Sequence, residues 1–198
     1  MANMTESLPE LLTNIRNCTH CQEYLPQGCR PVIRARASAR LLIIGQAPGT
    51  KVHASGIPWD DASGERLRRW LNLSNEVFYD ESKVAIMPMG FCYPGKGKSG
   101  DLPPRRECAP LWHGPVLAQL PKVKLTLLVG SYAQQYYLPG RVKTLTERVQ
   151  RWQEYGPAFI PLVHPSPRNQ LWLKKNPWFE SDIIPTVQKR VAELLPGC

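Results

Sequence analysis

The sequence predicts an α/β protein, a three-layer α/β/α sandwich around a central four-stranded parallel sheet. Three observations carry this. Four short runs are almost wholly apolar: Leu41–Ile44, Ala85–Met89, Leu125–Val129 and Ala158–Val163. Runs of this kind read as strands buried on both faces, as a parallel sheet requires. Each run ends in a glycine or histidine (Gly45, Gly90, Gly130, His164), and helical-period segments lie between them. Strands alternating with helices argue for parallel crossover connections.

The elements follow in order. Leu8–Arg16 places Leu8, Leu11, Leu12 and Ile15 on one helical face and runs into Cys18-Thr-His-Cys21. Pro31–Ala39, with Arg30, Arg34, Arg36 and Arg40 in or beside it, leads into the first strand. After Gly49 comes a polar loop ending in Ile57–Gly64, where Ser63 or Asp61 can cap a helix that buries Leu67, Trp70 and Leu71. The second strand ends at Gly90–Gly95, followed by a glycine- and lysine-rich loop, Lys96–Asp101. Helices are expected over Cys108–Leu120, despite Pro110 and Pro115, and over Ser131–Leu138, Val142–Arg151 and Ser181–Leu195. The last has Ile184, Val187, Val191 and Leu195 in helical register.

Composition narrows the function. A chain of 198 residues suits one well-buried domain. Its 25 Lys and Arg against 16 Asp and Glu give a net charge of +9, which favours a polyanionic partner. No apolar stretch approaches the ~18 residues of a membrane span, and Met1–Ser7 lacks the pattern of a secretory leader. The expectation is a cytoplasmic monomer. In that compartment six cysteines suggest metal or redox chemistry before disulfides.

In open α/β sheets ligands bind beyond the carboxyl ends of the strands. That edge collects Gln46, Pro88–Phe91, Gly130-Ser131 and His164, and the loop after the first strand adds Trp59, Asp60 and Asp61. Gly45-Gln-Ala-Pro-Gly49 lets backbone approach a ligand but lacks the Gly-Lys-Ser/Thr of a phosphate-binding loop. Cys18-x₂-Cys21 can place two thiolates on one metal, and Cys92 and Cys108 are two further thiols. Such ligands suit an iron–sulfur cluster and zinc alike. Cys92 and Cys108 could equally be small buried hydrophobes. Likewise Trp59 could simply cover the core, and Asp61 could be only a helix cap.

Gly45-Gln-Ala-Pro-Gly49 and His164-Pro-Ser-Pro167 resemble two motifs of the uracil-DNA glycosylase superfamily, in the same order. The resemblance runs from about Cys18 to Asn169 and is strongest to the iron–sulfur branches, families four and five. It implies a [4Fe-4S] cluster on Cys18, Cys21, Cys92 and Cys108, with fifteen residues between the last two; zinc or no metal are the alternatives. Cys29 and Cys198 have no place in that layout and are expected to be free.

The resemblance also implies hydrolysis of the bond between deoxyribose and a damaged base in DNA. Cleavage builds negative charge on the base and positive charge on the sugar. His164 would donate to the base as its charge develops, while Asp61, in Asp61-Ala-Ser-Gly64, would position water with Gln46 in support. Gly45, Ala47 and Trp59, with the backbone of Met89, Gly90 and Phe91, would hold the flipped base. DNA contacts would come from Ser166, Arg168, Asn169 and Leu171 and from Lys96 and Lys98, with Trp172, Lys174 and Lys175 behind.

One departure stands out. Where many relatives read the base with an asparagine, this chain has Pro88, which carries no side-chain donor or acceptor. The first-loop residue that is glutamate in family four is Gln46, which can orient water but cannot take its proton. The alternative is therefore a catalytically altered, nucleic-acid-binding relative of the same fold.

Overall fold

The computed structural model describes residues 6–140 and 142–196. Four strands, β1 (Leu41–Ile44), β2 (Val84–Ile86), β5 (Leu125–Val129) and β6 (Phe159–Leu162), form one sheet in the order β2-β1-β5-β6, every pair parallel. Two further strands, β3 (Lys96–Gly97) and β4 (Gly100–Asp101), make a separate antiparallel hairpin. β1 and β5 are buried along their whole length, the apolar run being covered from both sides.

The helices are α1 (Leu8–Arg16), α2 (Thr50–Ser55), α3 (Ala62–Leu71), α4 (Asn75–Phe78), α5 (Gly114–Ala118), α6 (Ser131–Tyr137), α7 (Leu145–Gln150), α8 (Gln170–Lys175) and α9 (Ile184–Leu194). Alternate residues of each strand feed two cores. Leu41 and Ile43 pack with Leu67, Trp70 and Leu71 of α3 and with Val187 and Val191 of α9. Leu42 and Ile44 pack on the other face with Leu8, Leu11, Leu12 and Ile15 of α1 and with Val116 of α5. This is the three-layer sandwich. No helix among the described residues is long and apolar enough to cross a membrane.

α1 has the bounds the periodicity predicts, closed by a capping box in which Ser7 and Glu10 bond reciprocally. Elsewhere proline redraws the boundaries. β2 ends at Ile86, two residues before Pro88, although Met87 still donates to the Ile43 carbonyl at 3.0 Å. The helix expected over Cys108–Leu120 is instead a π-helical turn, Ala109–His113, followed by α5; Pro110 and Pro115 cannot donate to the ordinary ladder. The expected Ser181–Leu195 helix likewise starts as a π turn, Phe179–Ile183, ahead of Pro185. Val142–Arg151 narrows to α7, which begins where the Thr144 hydroxyl accepts the Glu147 N–H. The polar stretch after Gly49 contains α2, the Lys96–Asp101 loop is the β3–β4 hairpin, and α4 and α8 are additional short helices.

The arginine-rich segment before β1 has a structural place. Arg34 exchanges both backbone hydrogen bonds with Ile86, and Val32 donates to the Phe91 carbonyl, so this segment covers the outer edge of β2.

Candidate functional site

A cavity of about 470 Å³ opens at the carboxyl end of the sheet. Gly45–Gly49, Trp59, Asp61, Pro88, Tyr132, His164, Ser166, Arg168 and Asn169 line it, with Asp101 and Leu102 on one rim. The four chain segments that follow the sheet strands therefore converge on one space, as the parallel topology requires.

His164 follows β6 and is held from three directions. The Ser166 N–H donates to its Nδ1 at 3.2 Å, and Asn169 Nδ2 donates to its carbonyl at 2.7 Å. The Trp59 ring lies 5.5 Å away, tilted by 33°. An Nδ1 that accepts leaves the proton on Nε2, which has no hydrogen-bond partner among the described residues. Burial pulls the His164 pKa down to about 4, against an opposing pull from the Asp61 carboxylate. At neutral pH the ring is therefore uncharged, with a free N–H donor.

Asp61 has two roles. Its Oδ1 caps α3 by accepting the Gly64 N–H at 2.8 Å, and the residue also lines the cavity. Oδ2 has no hydrogen-bond partner among the described residues. The capping role and the cavity-facing role thus coexist.

Trp59 reaches its position through a positive φ of 60°, a backbone state in which a non-glycine residue is strained. Two glycines make room for it. A Cβ on Gly45 would stand 2.7 Å from the indole, and one on Gly64 would stand 1.7 Å from the Trp59 carbonyl oxygen. Arg68 donates to that same carbonyl at 3.2 Å. Gln46 lies against Gly130, whose Cβ would come within 2.7 Å of its Nε2. Gly130 has φ +89°, so the end of β5 needs glycine twice over.

The structure places Met89, Gly90 and Phe91 behind the cavity rather than on its wall. The Met89 and Gly90 N–H groups are committed to the Gly45 and Gln46 carbonyls, at 3.0 and 2.9 Å. They set the height of the first loop and are not free to read a ligand. Pro88 does line the cavity. Its carbonyl meets the Nε2 of buried His113 at 3.1 Å, and Tyr137 holds the other ring nitrogen at 2.5 Å.

Around the mouth, Arg168 Nη1 donates to the Ser99 carbonyl at 3.0 Å and pins the tip of the β3–β4 hairpin to the His164 loop. Lys96 and Lys98 are exposed on that hairpin. Leu171 on α8, between Gln170 and Trp172, is 71 % exposed, with Arg168, Lys174 and Lys175 three or four residues away in the chain. Arg66 of α3, which the sequence did not single out, donates to the Gln170 side chain at 2.9 Å.

A second, small cavity of about 20 Å³ lies at the end of α1. Cys18, Cys21, Cys92 and Cys108 line it together with Phe91, Arg105 and Trp112. Cys29, which has no place in the expected four-cysteine layout, lines it too as a free cysteine; Cys198 lies outside the described residues. Burial, reinforced by the neighbouring thiols, pushes Cys92 up to about 12 and Cys108 to about 11. Arg105 stacks on Tyr24 at 4.5 Å and pairs with Glu107 at 2.5 Å, and it lines the same cavity as Cys21. Its Nε is buried with no hydrogen-bond partner among the described residues. The polar side chains of this cavity are five thiols and one guanidinium, among apolar neighbours, a donor set that suits a metal–thiolate centre, whose net charge is negative.

The sequence model of the uracil DNA glycosylase superfamily matches residues 34–188, most of the chain. The chain belongs to that superfamily.

Proposed function

We propose that this chain is a monofunctional DNA N-glycosylase that hydrolyses the bond between deoxyribose and a deaminated base. The superfamily assignment supports glycosylase-like chemistry on DNA in general. The observation that carries the finer reading is the state of His164: neutral, with Nδ1 occupied by the Ser166 N–H and Nε2 without a partner. In this reading the base enters the cavity and stacks near Trp59, and Nε2–H donates to its O2 as negative charge builds there. A donor fixed beforehand stabilises the transition state without reorganising. Asp61 Oδ2 orients the attacking water and offsets the charge on the sugar, while Gln46 supports the water but cannot take its proton. Exposed Leu171 fits the gap left in the stack, and Arg168, Lys96 and Lys98 contact phosphates.

The cysteine cavity is proposed to hold a [4Fe-4S] cluster. Among the described residues no three Cys, His, Asp or Glu side chains are disposed to grip one metal ion. Zinc–sulfur bonds of about 2.3 Å would draw its ligand sulfurs to within about 4 Å of one another. The described residues show no such closeness, so a single zinc ion is disfavoured, and the cluster is proposed on the family resemblance of Cys18, Cys21, Cys92 and Cys108 and on their shared cavity. Bound there, it would be held by the thiolates of Cys18, Cys21, Cys92 and Cys108, which would tie the segment after α1 to the segments around Cys92 and Cys108.

Pro88 favours a second reading, in which the fold binds nucleic acid without cutting it, because the cavity wall there offers no side-chain hydrogen bond. One experiment separates the two. Labelled single-stranded and duplex oligonucleotides carrying uracil, hypoxanthine, xanthine or hydroxymethyluracil are incubated with protein and treated with alkali. Cleavage that falls by about 10²-fold or more in His164→Ala establishes the glycosylase. Binding without cleavage of any substrate establishes the second reading.

A further inference from the structure

The carbonyl of Trp59 is walled on one side and held on another. A Cβ on Gly64 would stand 1.7 Å from its oxygen, so the first turn of α3 packs directly against it and leaves no room for water there. Arg68, one turn further along α3, donates to the same oxygen from Nη1 at 3.2 Å. That nitrogen also donates to the Tyr79 hydroxyl at 3.0 Å, so its two protons serve both oxygens. The guanidinium carbon lies 5.4 Å from the ring centre of buried Phe78 and 5.6 Å from that of Tyr79. These rings, at the end of α4, keep the planar group from turning.

Trp59 needs such a hold. A non-glycine residue keeps its φ of 60° only where the surroundings impose it. The turn's own bond, from the Asp60 N–H to the Ile57 carbonyl, is long at 3.3 Å. Rotation of a released Trp59 backbone would carry the indole off Gly45 and His164, its neighbours at the cavity.

We propose that Arg68 is a positioning residue for base release: its guanidinium clamps the Trp59 carbonyl and thereby holds the indole over His164. The effect on rate rests on the glycosylase reading above, whereas the effect on His164 does not. Arg68 touches neither base nor sugar, and acts on the reaction through Trp59 alone.

The test compares full-length wild type with three variants. Arg68→Met keeps the apolar stem and loses both bonds. Arg68→Lys keeps the charge but offers no planar fork. Tyr79→Phe keeps the ring beside the guanidinium and removes only the hydroxyl. In Arg68→Met the His164 ring, followed by NMR, titrates above its wild-type value of about 4 and toward 6.5, and its nuclear Overhauser contact with Trp59 weakens. Its kcat falls by up to about 10²-fold with KM level, the scale of an ångström of misplacement. Arg68→Lys lies between Arg68→Met and wild type, which separates ring displacement from loss of charge. Tyr79→Phe leaves His164 as in wild type. An unchanged His164 titration and Trp59 contact in folded Arg68→Met, or equal changes in Tyr79→Phe, overturn the inference: Arg68 then only ties α3 to the end of α4. Should Arg68→Met not fold, wild type still decides, since separately resolved, slowly exchanging Arg68 Nη protons support the clamp and freely rotating ones overturn it. A wild type that releases no base overturns the glycosylase reading; the NMR readouts need no turnover and decide on Arg68 by themselves.

Discussion

Trp59 presses against His164 with ring centroids 5.5 Å apart and planes tilted by 33°, from a backbone held at φ 60°. The contact covers the imidazole on one face, while the Ser166 N–H holds its Nδ1 and Asn169 holds the backbone carbonyl of the same residue. Ring position, tautomer and charge state are thereby fixed before any ligand arrives.

The first consequence concerns pH. Burial depresses both His164 and His113 from 6.5 to about 4; Asp61 partly opposes this for His164, and the Pro88 carbonyl does so for His113. Between those values the unfolded chain binds protons that the folded one does not, so stability falls as pH drops from 6.5 toward 4. Each histidine contributes about 3 kcal/mol at most to that loss. NMR titration is expected to show both rings neutral at pH 5.5, and the urea midpoint to fall steeply below pH 6. A ring titrating near 6.5 would contradict the enclosure described for it.

Gly64→Ala is expected to be severe. Its methyl group would lie 1.7 Å from the Trp59 carbonyl oxygen, which is backbone and cannot swing away. The variant should lose about 3 kcal/mol or more, beyond the usual range for overpacking. Gly45→Ala meets the indole itself at 2.7 Å and should displace the ring from His164 at lower cost. Urea unfolding and tryptophan fluorescence read the two effects separately.

Asp61 can be divided into its two roles. Asn is as good a helix cap as Asp, so Asp61→Asn should keep the bond to Gly64 and leave stability within about 0.5 kcal/mol. It should still lose base release by about 10²-fold, because the charge is gone. Asp61→Ala loses both, with about 1 kcal/mol of stability. Equal activity in Asp61→Asn and wild type would remove Asp61 from the mechanism.

Leu171→Ala should discriminate between DNA forms. The side chain is 71 % exposed, so the change costs little stability. If it fills the gap left by a flipped base, cleavage in duplex falls while cleavage in single strands stays level, since only the duplex must be unstacked. Parallel loss on both substrates would refute the wedge role.

Pro88→Asn should sharpen base choice. The position faces the cavity, and its carbonyl remains free to meet His113. A side chain able to both donate and accept should add about 1–3 kcal/mol of discrimination between bases, by analogy with bidentate readout. Competition between uracil and hypoxanthine substrates measures the change directly.

The strands were legible in the sequence because burial on both faces writes itself as an unbroken apolar run, as in Leu41–Ile44. The positions of His164 and Asp61 beside the cavity were legible because strand ends and helix caps have recognisable chemistry. Other features leave no local signal. The β3–β4 hairpin consists of two-residue strands of glycine and charged residues, with no apolar alternation to mark it. Met89 and Gly90 looked available for ligand because sequence gives no sign that their N–H groups are committed to the Gly45 and Gln46 carbonyls. Cys29 was set aside on spacing, and only the turn at Gly28 brings it to the other thiols.

The ends of the sheet have a consequence for behaviour at high concentration. Along β6, Thr126 and Gly130 bond the carbonyls of Ala158 and Leu162, so the backbone of Pro161 faces outward and presents no N–H there. At the opposite end, Arg34 and Val32 occupy the free margin of β2. Neither margin offers a full row of donors and acceptors to another copy. Crowded along one stretch of polyanion, neighbouring copies should resist zipping together through their sheets, and turbidity should stay low when the charge that keeps them apart is screened by salt.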